Sequence, residues 1–210
     1  LLAIKLRLTR DGFECDAIDF SYMGVLDSIA DYAGELAWKI EAGYANHRAI
    51  AVVAHSMGGL VTRYYLKNLR TSDQVKTVIT VATPHHGTFG GMILPPRSVP
   101  TSEMLPGSSF LEELNSVSET APGVDFHAIW TPTDGVVIPA ENSIMCGARN
   151  YKVSGLGVTH LGLLMSDAAY AIILDVLRGQ KPPTTGPQTR DHYEARENPL
   201  PWLKLRDERQ

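Results

Sequence analysis

Cysteine is nearly absent from this sequence. Two occur in 210 residues, Cys15 and Cys146, far apart and in no C-x-x-C pair. They fit either two buried thiols or one disulfide, and thiols are the expectation. A surplus of positive charge is missing too: 19 Lys and Arg stand against 23 Asp and Glu, and the seven His are scattered. A nucleic-acid partner is therefore not expected. No apolar run approaches the length that spans a bilayer, so a transmembrane segment is not expected either. No internal repeat is visible. An initiator Met is also lacking, and the chain opens on Leu1-Leu2 as if in mid-helix. It reads as a fragment or a processed product, so the lack of a signal peptide says nothing about compartment. The composition that remains, 44% hydrophobic and 20% charged, is ordinary for a globular chain. The length suits one domain with a sizeable core, or a domain plus a tail.

Periodicity divides the chain into alternating elements. Leu1–Arg10 reads as the end of a helix, stopped by Asp11-Gly12, with a short strand expected over Glu14–Phe20. Asp27 or Ser28 can cap a helix reaching about Gly43, with Ile29, Tyr32, Ala33, Leu36 and Ile40 on one face. Buried strands are expected at Ala49–Ala54, Val75–Ala82 and Val124–Trp130, and a last strand near Asn150–Ser154. An amphipathic helix, Leu161–Leu177, follows. Strands alternating with helices imply an α/β fold, a doubly wound and mostly parallel sheet with helices on both faces. Residues 1–178 form this core. Within it 88–123 is irregular, with helical spacing only at Ser109–Asn115, and is expected to be a functional loop or cap. From Gly179 to Gln210 the composition shifts to Pro, Thr, Gly and charge, as in a flexible or loosely docked tail.

The chain is organised around Ala49–Leu69, where AIAVVA runs into His55-Ser56-Met57-Gly58-Gly59 and then LVTRYYLKNL. Strand, sharp turn and helix around a Ser are the context of a nucleophile elbow. The backbone two residues to either side must pass close to its neighbours, and those positions carry Ala54 and Gly58. The following helix N-terminus and the Met57 amide suit a developing oxyanion. Functional groups of a doubly wound sheet gather beyond the carboxyl ends of its strands. Ser56, Asp134 and His160 each follow a strand, in an order that hydrolases of this topology use. The imidazole takes the Ser proton, and the carboxylate fixes the imidazole tautomer. Plainer readings stay open, since Asp134-Gly135 also suits a turn and His160 a helix cap. Asp125, Asp167 and Asp175 compete for the acid, but the first begins its strand and the others lie after His160. His47, His55, His85, His86, His127 and His192 are the alternative bases. His85-His86 invites a metal reading, yet no spaced Asp or Cys partner lies nearby.

Together AHSMGG, TVATPHHGT, TPTDGVVIP and GVTHLGLL resemble the small bacterial α/β-hydrolase lipases, over about Leu1–Leu177. The resemblance implies Ser56 as nucleophile, Asp134 as acid, His160 as base and Met57 as one oxyanion donor. It also implies hydrolysis of acylglycerols or smaller acyl esters without cofactor or metal, by a monomer that meets lipid or small esters. His55, His85, Met92, Leu94 and Leu161 are the candidate substrate contacts. Met104, Leu105, Phe110 and Leu111, with Met92, Ile93 and Leu94, either line an acyl pocket or pack as a satellite core. A thioesterase, an acyltransferase or a lipid-anchor deacylase could use the same triad, and a binding protein could keep the fold without the chemistry. Secretion follows only by analogy with the family. Such enzymes begin with a strand and a His-Gly loop giving a second oxyanion amide, and no counterpart occurs in these 210 residues. Low turnover and low stability are expected of this stretch alone.

Overall fold

A computed structural model describes residues 1–20, 26–90 and 98–189. Four parallel strands lie side by side in chain order: β1 (Ile50–His55), β2 (Val75–Val81), β3 (Asp125–Trp130) and β4 (Arg149–Lys152). Their β-branched, nearly uninterrupted apolar runs suit strands covered on both faces. Six helices accompany them: α1 (Leu2–Arg10), α2 (Ile29–Tyr44), α3 (Met57–Tyr64), α4 (Val99–Glu103), α5 (Ser109–Asn115) and α6 (Asp167–Leu177).

Two cores sandwich the sheet. One joins α2, α3 and α5 to Val75, Val78, Phe126 and Ala128. The other joins α1 and α6 to Ile79, Val81, Ile129 and Tyr151. The doubly wound arrangement expected from the sequence is the one observed. In α2, Ser28 accepts from the Asp31 amide while Asp31 accepts from the Ser28 amide, and all five expected apolar residues are buried. At about 1.5–3 kcal/mol for each large side chain, that stripe anchors α2 to the sheet.

The structure departs from the sequence reading in three places. Glu14–Phe20 forms no ladder, although Phe13 and Cys15 pack with the α1–α6 layer and Ile18 and Phe20 with the α2–α3 layer. The segment has the alternation of a strand but no partner among the described residues, where β1 pairs only with β2. The expected helix Leu161–Leu177 is broken. A single 3₁₀ turn spans Gly162–Leu164, and Ser166 then caps a fresh start at α6 by accepting from the Ala169 amide. Helix α4, whose Ser98 and Thr101 form a capping pair, was not legible in a Pro- and Ser-rich stretch. The described beginning of the tail is docked, one of the two forms expected of it: Thr185 exchanges backbone bonds with Lys152 and Asn150, and Gln188 and Asn150 share three hydrogen bonds. Trp202, Leu203 and Leu205, the apolar residues by which the end of the tail could be pinned to the body, lie outside the described residues. Cys15 and Cys146 are not joined in a disulfide, and each is half-buried. Among the described residues no helix is long and apolar enough to cross a membrane.

Candidate active site

The elbow forms where β1 meets α3. Ser56 has φ 54° and ψ −129°, a backbone state that costs a non-glycine residue on the order of 1–3 kcal/mol. Its neighbours hold it there: the Ser56 amide donates to Val81 O at 2.9 Å, and Ser56 O accepts from the Gly59 amide at 3.0 Å. Ala54 and Gly58 face each other, and a Cβ on Gly58 would sit an ordinary 3.9 Å from the Ala54 methyl. The strict demand falls one residue later. A Cβ on Gly59 would lie 2.1 Å from Thr83 Oγ1, because α3 crosses the end of β2 there. Helix α3 begins at Met57, so the Met57 and Gly58 amides belong to its first turn, whose donors have no acceptor within the helix.

Asp134 and His160 meet on the neighbouring strand ends. His160 Nδ1 lies 2.8 Å from Asp134 Oδ1 and 3.0 Å from Oδ2, with both side chains buried. Asp134 Oδ1 also accepts from the Val136 and Val137 amides at 3.0 and 2.7 Å, which fixes the carboxylate. Since a carboxylate only accepts, Nδ1 carries the proton and Nε2 is left as the basic nitrogen. Ser56 Oγ makes no hydrogen bond to any described residue. Nucleophile–base contacts are often long without substrate and tighten when it binds. Of the competing acids, Asp125 lies 3.3 Å from His127 Nε2 and Asp167 pairs with Arg7 at 2.8 Å, so both are engaged elsewhere.

Three threonines that the sequence reading passed over staple these loops. Thr131 and Thr133 hydroxyls donate to Val158 O at 3.0 and 2.6 Å, tying the Asp134 loop to the His160 loop. Thr88 Oγ1 donates to Val136 O and accepts from the Gly90 and Ile138 amides, tying the loop after β2 to the Asp134 loop. The only hint in the sequence was hydroxyls clustered at strand ends, as in TPTD.

The expected substrate contacts fare unevenly. His55 is half-buried and turned toward His160: its Nε2 donates to His160 O at 3.1 Å, and the two ring centroids are 4.7 Å apart. Burial lowers the His55 pKa to about 4. His85 is fully buried rather than on a pocket wall, because the Thr83–Gly87 turn folds inward. Its ring lies 3.1 Å from Thr80 Oγ1 and 3.4 Å from Arg63, and burial, then Arg63 and His86, push its pKa well below the usual range. Leu161 is exposed beside His160. Met92 and Leu94 lie outside the described residues. Met104, Phe110 and Leu111 pack onto the α2–α3 core, Phe110 stacking on Tyr64 with centroids 5.8 Å apart.

Arg63, on the apolar face of α3, is the largest surprise. It is 1% exposed. It donates to Glu119 O, Asn115 Oδ1 and Leu114 O at 2.9, 2.7 and 3.3 Å, fastening the turn after α5 to the elbow helix. Burial pushes its pKa down to about 10, against the opposing charge of Glu119. Burial alone would raise the Glu119 carboxyl, but His86 at 3.3 Å, the Cys146 amide and Arg63 outweigh it and hold it below the usual range. Among the described residues no three His, Cys, Asp or Glu converge as a metal site.

Known proteins share this framework. Residues 16–90, from the unpaired extended segment through the elbow to the loop after β2, match the family model described as PGAP1-like alpha/beta domain. Lipase B of Aspergillus fumigatus superposes with a TM-score of 0.65 at 21% identity, over 75% of this chain and 43% of that one. The mature form of the Bacillus licheniformis lipase BlEst2 superposes at 0.57 and 17% identity, over 72% of this chain and 75% of that one. The fold is an α/β-hydrolase fold. Within it, the strands leading to Asp134 and His160, β3 and β4, are neighbours, β2 separates them from β1, which leads to Ser56, and the chain spans less than half the length of the Aspergillus lipase.

Proposed function

We propose that this chain carries the catalytic centre of a serine hydrolase that cleaves carboxylic esters of lipids. One observation carries the reading: a strained Ser at a strand–helix turn shares the carboxyl edge of the sheet with an Asp–His pair, two strands along, that is built as a proton acceptor. In this reading His160 Nε2 takes the Ser56 hydroxyl proton as Oγ attacks the ester carbonyl carbon. The carbonyl oxygen becomes an oxyanion facing the Met57 amide and the positive end of α3. The intermediate collapses, the C–O bond to the alcohol breaks, and His160 returns the proton to the leaving alkoxide. A water then gives its proton to His160 and its oxygen to the acyl carbon, and Ser56 leaves protonated. Asp134 stays ionised and steadies the imidazolium in both halves.

The lipid class is favoured by the rim. Leu156, Leu161 and Met165 expose apolar side chains along the same stretch that carries His160. Such residues suit an acyl chain or a lipid surface better than a polar ester. The names of the structural neighbours, lipases both, agree with this reading.

The test is hydrolysis of chromogenic acyl esters from acetate to palmitate, with Ser56→Ala as the control. Turnover that favours long chains and falls by several orders of magnitude in the variant supports a lipase. A preference for short chains makes it a carboxylesterase. Equal rates in both proteins overturn the reading.

A further inference from the structure

We infer that His55 is a positioning residue for the catalytic base: it fixes the His160 backbone through one hydrogen bond and the His160 ring through a tilted ring–ring contact. The inference rests on the triad proposed above and adds a residue to it. His55 Nε2 lies 3.1 Å from His160 O, and because a carbonyl only accepts, the ring must donate from that nitrogen. The rings are tilted by 55° with centroids 4.7 Å apart, so His55 blocks one side of the His160 imidazole. Asp134 holds Nδ1 of the same ring and the Thr133 hydroxyl holds Val158 O, two residues before it. His160 thus has a support at its backbone, at Nδ1 and at its flank, and the flank support comes from the residue bonded to the nucleophile.

That connection gives His55 its role. The residue preceding Ser56 on β1 grips the base directly, so the elbow and the base cannot drift apart independently. Burial keeps His55 neutral at working pH, which leaves its proton on the nitrogen that faces the carbonyl and adds no second positive charge beside the His160 cation. A displacement of the base by about 1 Å can cost on the order of a hundredfold in rate.

Three variants separate the supports. His55→Gln keeps an amide donor of similar reach, His55→Phe keeps the ring and loses the donor, and His55→Ala loses both. Measured on a soluble short-chain ester, kcat should fall about tenfold in His55→Phe and about a hundredfold in His55→Ala with KM nearly constant, while His55→Gln recovers most of the hydrogen-bond share. Unchanged kcat in all three, beside a wild type that Ser56→Ala abolishes, overturns the positioning role and leaves the triad standing. A wild type indifferent to Ser56→Ala overturns the triad and the positioning role together. Ring-nitrogen NMR of the unmodified chain at pH 7 needs no variant to fold: a neutral Nε2–H tautomer for His55 is expected, and an Nδ1–H tautomer or a charged ring overturns the proposal.

Discussion

The Asp134 carboxylate faces the His160 ring with both oxygens, 2.8 and 3.0 Å from Nδ1, and two backbone amides hold one of those oxygens in place. The pair is built to present one tautomer. Asp134→Asn keeps the shape and an oxygen for the amides but lets the side chain donate to Nδ1, which turns the ring's proton to Nε2. On any ester the chain hydrolyses, kcat should drop by about 10⁴-fold with little change in KM. A loss below tenfold would assign the acid elsewhere.

Arg63 predicts a stability effect without touching substrate. Arg63→Met removes the donors of Asn115 Oδ1 and the Glu119 carbonyl and leaves the Glu119 carboxylate with less compensation in the interior. A loss of about 3 kcal/mol is expected in urea unfolding. Arg63→Lys should recover little, because a point charge cannot span three acceptors as the fork does.

Gly59 sets the spacing between the elbow helix and β2. Gly59→Ala would force its methyl into Thr83 Oγ1, and overpacking of that kind costs about 1–3 kcal/mol. Thr83→Ala removes Oγ1 and Cγ2, so the double variant should be more stable than Gly59→Ala alone. Gly58→Ala, with its neighbour at 3.9 Å, should cost less.

Acid should destabilise the fold early. Burial lowers the pKa of His55, His85 and His127 in the folded chain, so the unfolded chain binds more protons once the pH drops below about 6.5. Their stabilising share is complete above that pH and is lost as pH falls toward the folded values. Glu119, also lowered in the fold, adds a further loss below about 4.5. Urea midpoints should hold level from pH 8 to 7 and decline from about 6.5 downward. A midpoint unchanged at pH 5 would contradict this.

Much of this was legible because periodicity and spacing are local signals. The α2 stripe, the three main strands and the order Ser56, Asp134, His160 all follow from residue type at fixed intervals. Local signals fail where tertiary context decides. Glu14–Phe20 alternates like a strand, yet a strand needs a neighbour, and no pattern within one segment supplies it. Arg63 reads as a surface charge until α5 brings carbonyls to it, and His85 reads as a loop residue until its turn is seen to fold inward. His55 was a candidate substrate contact, whereas its ring reaches the His160 carbonyl, a meeting that only the folded chain brings about.

The central claim, that Ser56 is an activated nucleophile, is tested most directly by covalent trapping. The chain is incubated with a fluorophosphonate and the labelled peptide is mapped by mass spectrometry. One adduct per chain on Ser56, absent from Ser56→Ala and formed far more slowly in His160→Ala, is the predicted result. A chain left unlabelled, or labelled at another residue with no dependence on His160, would contradict the account.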